Sequence, residues 1–207
     1  MITKKDYFIG AVVGLLTAIF LLPTLYNLQY LSMPTAVMVC IGIPVLWVFG
    51  VWFGKFLGQW LKFFNQFGKY VVVGFFNTSI NFGILNILSI LTGTTAGVLL
   101  GGISAPGFLL AAMNSYFWNK FWVFKDTSGT NETVFKDLPK FALITLLGVL
   151  FNSLLIIYLT TYVGLRFGLD EKAWLNAANV AASAAILIWN FLGYKFFAFN
   201  QQNNQNV

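Results

Sequence analysis

Ser115-Tyr116-Phe117-Trp118-Asn119-Lys120-Phe121-Trp122-Val123-Phe124 closes one long apolar run, and Asn190-Phe191-Leu192-Gly193-Tyr194-Lys195-Phe196-Phe197-Ala198-Phe199 closes another. In both, a lysine is followed at once by aromatic, aromatic, aliphatic, phenylalanine. Aromatic rings and a lysine with a long apolar stem suit the boundary between a bilayer and water. The same two runs have matching companions upstream. Gly68-Lys69-Tyr70 opens the third apolar run and Pro139-Lys140-Phe141 the fifth, and Asn81 and Asn152 each follow their lysine by twelve residues. The spacing predicts a two-helix repeat. Two crossings return a chain to its starting side, so the halves are expected to be parallel, related by an axis along the membrane normal.

Working outward, six apolar stretches approach or exceed the ~20 residues that span a bilayer. They cover residues 7–30, 34–53, 70–91, 98–117, 141–163 and 173–191. The chain is 58% hydrophobic and 9% charged, where a soluble domain carries about 25% charge. Backbone groups in lipid must be satisfied internally, which leaves helices or closed barrels. A barrel needs alternating segments of about ten residues, and these runs are continuous. The fold class is therefore all-α and polytopic, with six transmembrane helices. Four form a core from the parallel repeat, and two precede it. The first stretch is too long for a signal-peptide apolar region and reads as a retained helix. Pro23 and Pro44 are candidate kinks.

The cations set the orientation. Lys4, Lys5, Lys55, Lys62, Lys69, Lys120, Lys125, Lys136, Lys140 and Lys195 fall on one side of these spans, and only Arg166 and Lys172 on the other. The positive-inside rule puts both termini in the cytoplasm. The net charge of +6 is then membrane topology rather than a nucleic-acid footprint. Residues 54–67 place Lys55, Gln59, Lys62 and Gln66 on one helical face. They read either as an amphipathic surface helix or as an extension of the second span. Residues 201–207 read as a disordered tail.

Few residue types remain for chemistry. The chain has no histidine, and the single Cys40 excludes an internal disulfide or a cysteine metal site; no metal, cofactor or catalytic residue is expected. Asp6, Asp126, Glu132, Asp137, Asp170 and Glu171 all lie at span ends or in loops. Intramembrane carboxylates and histidines are the usual proton relays, so proton coupling and acid–base catalysis are not expected. The spans carry asparagine instead. Asn77 and Asn81 share a face of the third. Asn114 lies beside a stripe of Ser104, Gly107, Ala111 and Ser115 on the fourth, which Asn119 follows. Thr145, Gly148 and Asn152 align on the fifth. Asn176, Asn179, Ser183 and Asn190 fall within about 60° on the sixth, at 100° per residue. Such stripes serve close helix packing, or they line a polar path for a sugar headgroup: Asn77, Asn81, Asn114, Asn119, Asn152, Asn179 and Asn190. Lys120 and Lys195, at matched boundary positions, are either snorkelling anchors or point charges for a phosphate, with Lys69 and Lys140 as further candidates. Each of the first two is expected to be partly exposed.

The opening Phe67-Gly68-Lys69-Tyr70-Val71-Val72-Val73-Gly74 with Asn77 and Asn81, and the two closing motifs, resemble the GtrA-like family of small four-helix membrane proteins. The resemblance covers residues 68–200, with residues 1–67 as two added helices and a connector. It implies a multi-pass protein of the bacterial cytoplasmic (inner) membrane that is not an enzyme. The implied function is flipping of a polyprenyl-phosphate-linked monosaccharide, such as undecaprenyl-phosphate glucose, for cell-surface polysaccharide glycosylation. The implied partners are that lipid, membrane glycosyltransferases and the bilayer, with self-association left open. A non-transporting partner that stabilises a polyprenyl-phosphate glycosyltransferase and a small-solute transporter are the alternatives. Family members are usually shorter and often carry arginine where this chain has Lys120 and Lys195.

Overall fold

Hydropathy and capping place the helices. In the computed structural model the described residues are 2–93, 97–125, 135–163, 181 and 184–199, and among them there is no strand. Helix α1 spans Lys4–Asn27. Thr3 and Asp6 form a capping box at its start, each side chain bonding the other's orphan backbone amide. Helix α2 spans Met33–Leu57, capped by Ser32 through the Thr35 amide, with Pro34 in the first turn. There proline costs no hydrogen bond. Helix α3 spans Phe64–Thr92 and stops at Gly93, whose φ of 69° is the left-handed conformation glycine adopts freely. Helix α4 spans Gly97–Trp118, helix α5 Leu138–Ile157 and helix α6 Ala184–Ala198. α1, α2 and α3 are each long and apolar enough to cross a membrane. The protein is an all-helical, multi-pass membrane protein.

The chain forms two compact units, Met1–Lys125 and Asp126–Val207. In the first, α1 packs on α2 and α3, and α3 on α4. The crossings are built on small residues, because lipid supplies no hydrophobic drive between helices and packing must come from close approach. A Cβ at Gly14 would lie 2.5 Å from Pro44 Cα; one at Gly54 would lie 2.9 Å from the Phe64 carbonyl oxygen and 3.1 Å from Gly68 Cα. The α2–α3 contact is thus backbone on backbone, so the chain reverses direction between them. Residues 58–63 form that turn. Residues 54–57 extend α2 and residues 64–67 open α3, so there is no separate surface helix; the four-residue recurrence of Lys55 to Gln66 is split by the turn.

Polar side chains knit α2 to α1 and α1 to α3. The Trp47 indole donates to Thr17 Oγ1 at 3.1 Å. Asn86 Nδ2 donates to Thr24 Oγ1 at 3.1 Å, and Asn27 Nδ2 to Asn86 Oδ1 at 2.7 Å. Bonds of this kind are worth about 0.6–2 kcal/mol each in lipid. Away from these contacts α2 is apolar and uncovered: Met38, Ile41, Val45, Phe49 and Trp52 are exposed, and only Val51 and Gly54 are buried. That surface suits lipid and would aggregate in water.

Candidate functional site

The two closing motifs fold alike. α4 continues into a π-helical turn at Asn119–Val123, and α6 ends in one at Tyr194–Ala198. The Phe124 amide donates to the Asn119 carbonyl at 2.9 Å, and the Phe199 amide to the Tyr194 carbonyl at 2.8 Å. A π turn holds one extra residue and is frequent at functional positions. In each the lysine lies over the ring four residues before it. The Lys120 ammonium lies 5.9 Å from the Tyr116 ring centroid, and that of Lys195 lies 5.8 Å from the Phe191 centroid. Both rings are buried. The repeat read from sequence is therefore also a repeat of local geometry.

The two lysines differ in access. Lys195 is half-buried and lies 5.5 Å from the Phe196 ring. Lys120 is 2% exposed, which corrects the expectation that it is partly exposed; Asn119, Trp122, Val123 and Phe124 around it in the chain are buried as well. The helix-opening lysines differ as well. Lys140 is exposed. Lys69 is 3% exposed and pairs with Asp6 at 3.4 Å, while donating to the Trp122 carbonyl at 2.7 Å.

Asp6 is the residue that sequence reasoning missed. Its carboxylate is 2% exposed. It accepts from the Thr3 amide at 2.7 Å, Thr3 Oγ1 at 2.8 Å and the Trp122 indole at 3.1 Å. Lys125, half exposed, stands 3.8 Å away. The Thr3-to-Asp6 spacing marks a helix start, but nothing local reveals partners more than sixty residues away.

The asparagines divide into two sets. Asn114 Nδ2 donates to Asn77 Oδ1 at 2.6 Å, and the Trp118 indole donates to Asn114 Oδ1 at 3.0 Å. This relay joins α3 to α4 and gives the Asn77 and Asn114 oxygens one donor each. The Oδ1 atoms of Asn81, Asn119 and Asn190 are buried without a hydrogen-bond partner among the described residues. Asn81 lies under Gly107, and Asn190 against Gly148, where a Cβ would come 2.6 Å from its Oδ1. Asn119 spends its amide nitrogen on Ser115, on the carbonyl at 2.8 Å and the hydroxyl at 3.1 Å. Buried acceptors left unpaired are costly, and a ligand hydroxyl is one way to satisfy them. The Asn152 side chain, Asn176, Asn179 and Ser183 lie outside the described residues.

In the second unit Thr145 Oγ1 and the Tyr194 hydroxyl meet at 2.8 Å, and Phe141 stacks on Tyr194 at 4.6 Å. Further along α5 and α6 an open apolar groove of about 430 Å³ is lined by Phe151, Leu154, Leu155, Tyr158, Ala185, Ile186 and Trp189. Each unit thus carries a cation over a ring and a buried amide acceptor, and the second adds an apolar groove.

A sequence profile described as GtrA/DPMS, transmembrane domain matches residues 69–199. Residues 1–68, including Asp6, lie outside the match. No curated relative and no solved structure matches the chain.

Proposed function

Because the chain belongs to the GtrA/DPMS transmembrane family, we propose that it moves a polyprenyl-phosphate-linked monosaccharide across the bacterial cytoplasmic membrane, with both termini in the cytoplasm. The observation that carries this reading is the matched pair of closing turns, each holding a lysine over a buried ring. A lipid phosphate sits at the depth of such turns, and a lysine meets it as a point charge. Lys195, half-buried, is the more accessible of the two cations. Engaging Lys120 requires the headgroup to enter the enclosed turn. Lys140 adds to the attraction at the surface, and Lys69 acts through its pair with Asp6.

The sugar is met by acceptors rather than charges. Asn81, Asn119 and Asn190 each keep a buried oxygen without a partner among the described residues, and sugar hydroxyls are donors of the right kind. The α5–α6 groove suits a prenyl chain. Among the described residues no carboxylate lies at mid-span to couple proton flow, and on this reading the lipid moves down its own gradient. The test is a liposome assay. Purified protein alone should accelerate the appearance of a labelled prenyl-phosphate hexose at the outer leaflet, where an impermeant reagent destroys it. No acceleration over protein-free liposomes would remove the reading.

One feature favours a second reading, a non-transporting partner of a membrane glycosyltransferase. α2, outside the family match, exposes a stacked ladder of Phe49, Phe53, Trp52 and Phe56. A partner of that kind gives acceleration only when the transferase is reconstituted with it.

A further inference from the structure

Asp6 lies outside the family match, yet its carboxylate reaches two segments of the family domain. It accepts from Lys69 Nζ at the start of α3 and from the Trp122 indole in the closing turn of α4. Lys69 in turn donates to the Trp122 carbonyl at 2.7 Å and lies 5.8 Å from the Trp122 ring centroid. That carbonyl belongs to the end of a helix, where carbonyls lack intrahelical partners. Trp122 is therefore held at both its backbone and its side chain, two residues from Lys120. Asp6, Lys69 and Trp122 are 2%, 3% and 4% exposed.

The repeat supplies its own control. The position matching Trp122 in the second unit is Phe197, which is 71% exposed and whose side chain has no donor. The position matching Lys69 is Lys140, which is exposed. The second closing turn thus does not repeat the tryptophan and buried lysine of the first, and its own lysine is half-buried rather than enclosed. In the first turn a buried carboxylate contributed by the added helix holds the tryptophan in place.

We infer that Asp6 is a positioning residue: α1 supplies the carboxylate that neutralises Lys69, fixes Trp122 and so holds the turn that carries Lys120. Removing one member of a buried pair leaves an uncompensated charge, which costs more than removing both. The effect should be local to residues 119–125. Its sign on ligand binding is also distinctive. Deleting a negative charge should by Coulomb's law strengthen binding of an anion, whereas loosening the turn weakens it. Only this binding arm rests on the proposed function.

The test uses the full chain in nanodiscs, as wild type, Asp6→Asn, Lys69→Met, the double variant and Trp122→Phe. Amide hydrogen exchange is followed by peptide, and farnesyl phosphate is the ligand probe. In Asp6→Asn and in Trp122→Phe, exchange in residues 119–125 should rise at least about tenfold while residues 194–199 are unchanged. The double variant should be closer to wild type than Lys69→Met is. Farnesyl phosphate affinity should fall in Asp6→Asn. Trp122→Phe keeps both charges, so it reads the turn even if Asp6→Asn does not fold. Unchanged exchange in residues 119–125, an equal rise across both units, or tighter farnesyl phosphate binding by Asp6→Asn would overturn the inference. If wild type itself does not bind farnesyl phosphate, the proposed function fails at this ligand, and the exchange pattern still decides the role of Asp6.

Discussion

Lys195→Met is the cleanest probe of the proposed phosphate contact, and the structure says why. The Lys195 ammonium faces two rings, Phe191 at 5.8 Å and Phe196 at 5.5 Å. At a half-exposed site each such contact is worth about 0.5–1 kcal/mol. Methionine keeps most of the apolar stem and removes only the charge. A charge-assisted hydrogen bond to a phosphate is worth about 1.5–3 kcal/mol, or roughly tenfold to a hundredfold in affinity. Binding of a prenyl phosphate to purified protein should therefore weaken by at least about tenfold, while the melting transition moves little. Lys195→Arg should bind close to wild type, because the site needs charge and not a fork. Lys120 is a poorer probe. It is enclosed over Tyr116, so truncation to alanine also leaves a void, at about 2–5 kcal/mol for a large core side chain. If Lys195→Met binds as tightly as wild type at equal folded fraction, the lysine is only a boundary anchor and the reasoning fails.

Other outcomes follow from the packing and the charge pattern. Gly54→Leu should destabilise the first unit by about 1–3 kcal/mol or more, since its Cβ meets backbone atoms of Phe64 and Gly68; a thermal melt in detergent checks this, and Gly42→Leu, with open space around it, is the neutral control. Asn114→Ala should cost about 0.6–1.7 kcal/mol through loss of its bond to Asn77, measurable as a drop in unfolding midpoint in a mild denaturing detergent. Reporter fusions at residues 1 and 207 should both read cytoplasmic; one inside and one outside would contradict six crossings.

Much of this protein is legible without coordinates because the forces involved are local. A run of apolar residues cannot leave its backbone unpaired in lipid, so hydropathy finds helices where the described residues test it, most of the stretch 173–191 lying outside them, and Thr3, Ser32 and Gly93 mark starts and a stop by chemistry within a few residues. The paired closing motifs are also local, and their likeness in sequence becomes a likeness of two π turns with the same lysine-over-ring geometry. Side-chain burial is different. Lys120 and Lys195 read alike, yet one is enclosed and the other half-buried, because enclosure depends on what distant segments bring to each turn. Asp6 and Lys69 read as a span-end carboxylate and a boundary lysine; only folding brings them together across sixty-three residues and sets both against Trp122. The asparagines sort the same way. Their spacing puts them on inward faces, but whether an amide oxygen is used, as in Asn77, or left unpaired among the described residues, as in Asn119, depends on the neighbouring helix. Periodicity in a chain specifies faces, and the partner of a buried charge or amide is decided only where two faces meet.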